Sequence, residues 1–415
     1  MTDGAPRGSA TEWRHHWPVV LASGAGIALS STHVYMIGPL TAPLEREFGW
    51  SRAEITSGLA IVSALGVCLA PLIGLLIDRY GPRVIGLVGI CALCGAIMLL
   101  SIASQNIWSW WILWFLLGIC ALFIKPTIWI AAVSGFFSAS RGLALAVTLC
   151  GTGIGSTLTT LIAATLADRY GWRTALIGLG SFWLVVTLPI ALLFLARSPR
   201  RRGDRHPASP MVDRSALPGL GRREGLTSPS FVKLAIAAFL IAIVAVPFAA
   251  LLVPILGSTG LERGTAASIA SMVGIASLVG RLGMGSLVDR TDGRWLAAIS
   301  VSLPILASGL LLYAPGSIPM ASAAAIVLGL SLGAELDLVA YLATRHVGLR
   351  NFGLLFGVIA GLLSLATGMG PLIVSHVYDV TGSYTLILWA YMPVCLVSAA
   401  LFLGLGPYPD FDQQE

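Results

Sequence analysis

Along this chain apolar residues gather into long blocks, and charged or Pro/Gly-rich stretches fall between them. Many blocks reach about 20 residues, enough to cross a hydrocarbon core of about 30 Å as helices. They lack the apolar/polar alternation of membrane-spanning strands. The breaks predict spans at 17–43, 54–77, 83–104, 107–137, 142–166 and 174–196, then at 231–256, 266–288, 295–314, 318–344, 353–377 and 385–406. The expected fold class is an all-α membrane protein with 12 transmembrane helices. The first run is too long, and too closely followed by others, to read as a cleaved signal peptide.

The pattern repeats. GLLIDRYGPR, with Gly74, Asp78 and Arg79, matches GSLVDRTDGR, with Gly285, Asp289 and Arg290, at an offset of 211. The same offset brings Pro43 onto Pro254, Gly49 onto Gly260, Gly142 onto Gly353, Asp168 onto Asp379 and Gly171 onto Gly382. A parallel repeat of six spans implies two six-helix bundles related by an axis along the membrane normal, with a substrate path between them. The division expected is 1–196 for the first bundle with its N-terminal tail, 197–230 for a basic linker, and 231–415 for the second bundle with its C-terminal tail.

Composition agrees. The chain is 56% apolar and 11% charged with mean hydropathy +0.87, against about 25% charged in soluble domains. All six cysteines lie inside apolar runs, including the Cys91/Cys94 pair, so neither a disulfide framework nor a zinc site is expected. The formal charge of +6 comes from basic residues between spans, which argues against a nucleic-acid face. With the N-terminus inside, 18 of the 25 Lys and Arg residues fall on the cytoplasmic side and five in external loops. By the positive-inside rule both termini are then cytoplasmic, in a multi-pass plasma membrane protein of a bacterial inner membrane. The linker, with RSPRRRGDRHPASP, suits an anionic lipid surface.

GLLIDRYGPR resembles the G-x-x-x-D-R-x-G-x-R loop of the major facilitator superfamily. Two further segments, FFSASRGLALAVTLCGTGIG from Phe136 and GRLGMGSLVDR from Gly280, resemble the monocarboxylate and oxalate/formate transporter branch. The resemblance implies a secondary transporter and gives Arg281 the place of that branch's substrate-linked arginine. It makes Gly74, Asp78, Arg79, Gly81 and Arg83, with Gly285, Asp289, Arg290 and Arg294, latches on the cytoplasmic side.

Ionisable groups within spans are few, and each costs about 2.5–3.5 kcal/mol on insertion scales. Arg281 precedes the next charge, Asp289, by eight residues, about 12 Å in from the helix end. Its fork can hold a carboxylate through two hydrogen bonds. The competing reading is an arginine that snorkels or braces a neighbouring helix. Glu335 and Asp337 lie near the matching depth in span ten, Asp337 eight residues before Arg345. Asp337, with Tyr341 one turn below, is the acid favoured to face the cavity and could pair with Arg281; an anion taking Arg281 would then free the acid to accept a proton. A static pair that fixes helix packing is the other reading. Lys125, before the helix-loosening Pro126, could give an anion a second positive contact or face water. His33 and Tyr35 in span one are weaker substrate-site candidates, since a lone histidine more often packs than relays protons.

The chain has no G-x-x-x-x-G-K-[ST] segment, so ATP is not an expected partner. Nor does it have the nucleophile–base pair of an enzyme, a metal cluster or a cofactor motif. The expected function is symport of a small organic anion with a proton across the lipid bilayer. The alternative is proton-coupled export of an amphipathic drug-like or peptide compound.

Overall fold

The computed structural model describes residues 9–137, 140–195, 219–288, 291–348 and 350–409. Twelve helical segments are long and apolar enough to cross a membrane. Spans one to six are Glu12–Phe48, Arg52–Leu69 (in a helix continuing to Tyr80), Pro82–Ile102, Ile107–Ser134, Gly142–Tyr170 and Trp172–Phe194. Spans seven to twelve are Pro229–Ala250, Arg263–Met284, Gly293–Tyr313, Ile318–Val347, Gly353–Thr381 and Thr385–Leu403. The ends follow local chemistry. Asn106 and Ser228 side chains accept hydrogen bonds from Trp108 N and Phe231 N, which would otherwise be orphan helix donors. Gly171 and its repeat partner Gly382 take φ of 86° and 70° where spans five and eleven stop, a conformation glycine adopts without a Cβ clash.

Span one begins earlier than the apolar run because its first turns have a partner. Glu12 accepts hydrogen bonds from Ser140 N and Oγ, both at 3.1 Å, and Trp13 packs edge-on against Phe137 at 5.4 Å. The polar start of span one is thus fastened to the connection before span five.

Several spans are discontinuous. Span one breaks at Met36, between helices Ser9–Tyr35 and Ile37–Phe48. Span four breaks between Leu122 and Pro126, and span five between Leu149 and Gly151 at Cys150. The Lys125–Pro126 pair explains the second break, since proline supplies no N–H and disfavours helix in the residue before it. Lys125 has φ −54° and ψ 148°, extended backbone. The break in span five was not apparent from the apolar run.

Span two packs along span eleven, and span five along span eight. At the second contact a methyl on Gly153 would lie 2.5 Å from the Gly274 carbonyl oxygen, so the backbones of the two halves touch there; Thr157 also donates to Ser271 O at 3.0 Å. An even number of spans puts the linker and both chain ends on one face, the linker end; the other face is the loop end. The described hydrogen bonds and ion pairs between halves gather from the middle of the molecule to the loop end. Asp379 accepts from Arg52 N at 2.9 Å and Ala53 N at 2.7 Å, capping span two from the other half. Arg263 reaches Asp168 at 2.7 Å and donates to Pro39 O at 2.6 Å.

At the linker end the contacts described stay within halves. Gly219 and Gly348 form a β-bridge, and Asn351 Nδ2 donates to Leu220 O at 2.8 Å, tying the end of the linker to the second half. Asp292 accepts from Arg294 N at 3.0 Å and from Tyr408 Oη at 2.9 Å. Hydrogen bonds from Arg294 hold the Asp292 carboxyl well below the usual carboxylate range.

Candidate functional site

Spans eight and ten cross closely because small residues face one another. Methyl groups on Gly329 and Gly333 would lie 2.4 Å from Val273 O and 2.1 Å from Ser277 O. This crossing brings Arg281 against span ten. Its Nε lies 3.2 Å from Asp337 Oδ2 and donates to Gly333 O at 3.4 Å. The pairing that equal depth allows is therefore present. The guanidinium is 7% exposed, yet its Nη1 is buried with no hydrogen-bond partner.

Arg281 lines a cavity of about 60 Å³ between the halves, together with Tyr35, Thr152, Ser156, Val273, Ser277 and Leu332. Thr152, Ser156 and Ser277 each donate to a carbonyl oxygen of their own helix, at 2.9, 3.0 and 2.7 Å, so lone pairs remain for a ligand. The buried N–H donor left over belongs to Arg281. The space would suit a small group with a carboxylate end and a polar, hydrogen-bonding neighbour.

The other predicted residues fall at different places. Glu335 is 8% exposed and lies within electrostatic reach of Tyr35, which also feels Arg281. His33 is within electrostatic reach of Lys125, and its Nδ1 is buried without a partner. Lys125 Nζ donates to Gly66 O at 3.4 Å; the absent Gly66 side chain makes room for it, and Ser364 of the second half borders the same space. Lys125 and His33 are not cavity-lining residues. Tyr341 corrects the expectation that it joins the Arg281 site. One turn beyond Asp337, its ring packs against Gly293 beside Tyr408 at the linker end.

Of the proposed latch residues, Asp289 and Arg290 lie outside the described residues. Gly74 and Asp78 fall within helix Arg52–Tyr80, and Gly285 within helix Arg263–Leu287. Gly81 turns the chain between spans two and three at φ 80°. Arg79 is exposed, with its guanidinium 5.3 Å from the Tyr80 ring centroid. Arg83 donates to Leu192 O at 3.2 Å, and Arg294 pairs with Asp292. These bonds hold arginine to its own half, whereas the described cross-half pairs lie at the loop end.

Thr152, Ser156, Val273, Ser277 and Leu332 were not anticipated. A signal existed: 152 and 156, like 273, 277 and 281, are four apart and share a helix face. It was legible only once Arg281 was known to face span five.

The comparisons with known proteins agree with this architecture. Over 292 residues, 64% of this chain, it is 27% identical to monocarboxylate transporter 12 of Rattus norvegicus; the match spans 59% of that protein. It is 28% identical to human monocarboxylate transporter 11, covering 94% of this chain and 82% of that one. It is 25% identical to the fujikurins efflux protein of Gibberella fujikuroi, covering 97% and 84%. A solved bacterial homologue of the human lysosomal transporter Spinster, in an inward-facing and occupied conformation, superposes with TM-score 0.70 at 18% identity, over 93% of this chain and 94% of that one. The sequence profile of the Major Facilitator Superfamily matches residues 24–351. With its twelve spans and its paired halves, this chain belongs to the Major Facilitator Superfamily.

Proposed function

We propose that the protein carries a small, monocarboxylate-like organic anion together with a proton across a bacterial inner membrane, by alternating access between bundles 1–196 and 231–415 joined by linker 197–230. The linker end, rich in Lys and Arg, is the cytoplasmic one. One observation carries the reading. A guanidinium buried to 7% exposure lines a cavity between the halves and keeps one of its nitrogens, Nη1, buried without a partner. An unsatisfied buried donor is costly, and a carboxylate satisfies it with a charge-assisted bond.

Arg281 takes the anion, Tyr35 contacts it from the first half, and Lys125, with His33 within its electrostatic reach, supplies a second positive contact from that half. A carboxyl group of span ten, Asp337 or Glu335, takes the proton. Loop-end contacts bring the halves together on the external side, which supports a state open toward the cytoplasm. Arg79, Arg83, Asp289, Arg290 and Arg294 then serve the state in which that side closes.

The test is uptake of labelled pyruvate, lactate, oxalate and succinate into proteoliposomes with an acidic exterior. Accumulation lost in Arg281→Ala is the expected result. A second reading, export of an amphipathic compound, draws on the fungal efflux relative. It replaces the first if no carboxylate moves while Arg281→Ala leaves dye export intact.

A further inference from the structure

Two acids on span ten sit in unlike surroundings. Asp337 has Arg281 at 3.2 Å, and its side chain is 37% exposed. Glu335 is 8% exposed, and no described ion pair or hydrogen bond includes it. Residues two apart point to opposite sides of a helix, so a helix turned to give Arg281 one acid turns the other elsewhere. The groups within electrostatic reach of Glu335 are Tyr35 of span one and Cys395 of span twelve, both neutral. Neither can act as a counter-ion. A buried carboxylate without a counter-charge is far costlier than the neutral acid, so this site favours a bound proton. Tyr35 is the connection to the substrate cavity: it lines that cavity, and it feels both Glu335 and Arg281.

We propose that the transported proton rides on Glu335, with Tyr35 as the link to the anion, while Asp337 remains the fixed counter-ion of Arg281. The proposal rests on the proton–anion reading above and names the proton's place within it. The step is a protonation only: the carboxylate gains a proton from water on one side and loses it on the other. An anion entering beside Tyr35 adds negative charge near Glu335, which strengthens the hold on the proton. By reciprocity the protonated acid strengthens anion binding. Anion and proton thus bind together and leave together.

Infrared titration of the purified full chain tests the proton's place without a substrate. A protonated-carboxyl band at neutral pH is expected in the wild type, absent in Glu335→Gln, retained in Asp337→Asn and shifted in Tyr35→Phe. A band that Glu335→Gln leaves unchanged overturns the proposal. In proteoliposomes with labelled pyruvate and lactate, Glu335→Gln should lose gradient-driven accumulation by roughly tenfold more than it loses exchange at equal concentrations, about 1.4 kcal/mol of coupling. Asp337→Asn should lose both together. If Glu335→Gln still accumulates against the gradient while Asp337→Asn uncouples, the proton is not on Glu335 and the anion reading stands. If the wild type moves no carboxylate, the anion reading fails and the infrared band still decides where the proton sits.

Discussion

The two halves are alike where they clasp and unlike around the Arg281 cavity. Arg52 and Arg263 are 211 positions apart, as are Asp168 and Asp379, and the structure joins them crosswise: position 52 with 379, position 263 with 168. Each pair links the first turn of one span to the last turns of another in the opposite half. At mid-membrane the repeat fails. The first-half counterparts of Arg281, Gly333, Glu335 and Asp337 are Ala70, Leu122, Ile124 and Pro126. Repeated residues build the clasps, which must work the same way on both sides of the axis; unrepeated ones build the cavity proposed above to meet a single asymmetric ligand.

The sharpest way to break the asymmetry is at Arg281. Arg281→Ala should lower carboxylate uptake at least a hundredfold, about 2.7 kcal/mol, because it removes the donor proposed to meet the anion and leaves the partly exposed Asp337 without its cation. Adding Asp337→Asn should restore expression but not uptake, which immunoblotting and flux on the same vesicles would separate. Gly333→Ala comes next. Its methyl would meet the Ser277 carbonyl oxygen at 2.1 Å, a backbone atom with little freedom to yield, so a loss of about 1–3 kcal/mol and a lower melting temperature in detergent are expected.

Smaller effects test the symmetric part. Asp168→Asn and Asp379→Asn should each raise labelling of cysteines placed at the loop end, and the double variant should raise it most. Arg52→Ala should do less than Arg263→Ala, because Asp379 is held by backbone amides that survive at position 52. Equal effects would show that the two clasps carry the same load despite their different geometry. The smallest change is expected from Tyr408→Phe, which removes one hydrogen bond to Asp292. The Asp292 carboxyl is depressed in the folded state, so its contribution is complete above the ordinary carboxylate pKa and is lost as pH falls through the lowered value. The melting difference between Tyr408→Phe and wild type should hold through mild acid and vanish only in strong acid.

Much of this was legible in the sequence because membrane burial leaves a coarse signal. Apolar block length placed twelve spans, and a fixed offset revealed the repeat. Equal depth brought Arg281 and Asp337 together, since depth along two helices of one bundle can be counted from their charged ends. Azimuth could not be counted so reliably. Tyr341 shares a helix stripe with Asp337, but span nine offers Gly293 as a closer resting place for its ring. The breaks in spans one and five were also hidden, because apolar residues tolerate a locally opened helix as readily as a continuous one when neighbouring helices shield the backbone.

Those breaks have a mechanical consequence. Of the four spans that line the Arg281 cavity, one and five are interrupted near its walls, while helices Arg263–Leu287 and Ile318–Val347 run unbroken through spans eight and ten. One wall is interrupted, at residues that keep right-handed helical backbone, and the other is continuous. On the proposed reading, a ligand held by Arg281 on the continuous wall meets the other wall beside its two interruptions, Met36 and Cys150, so the first half is where binding would be converted into displacement.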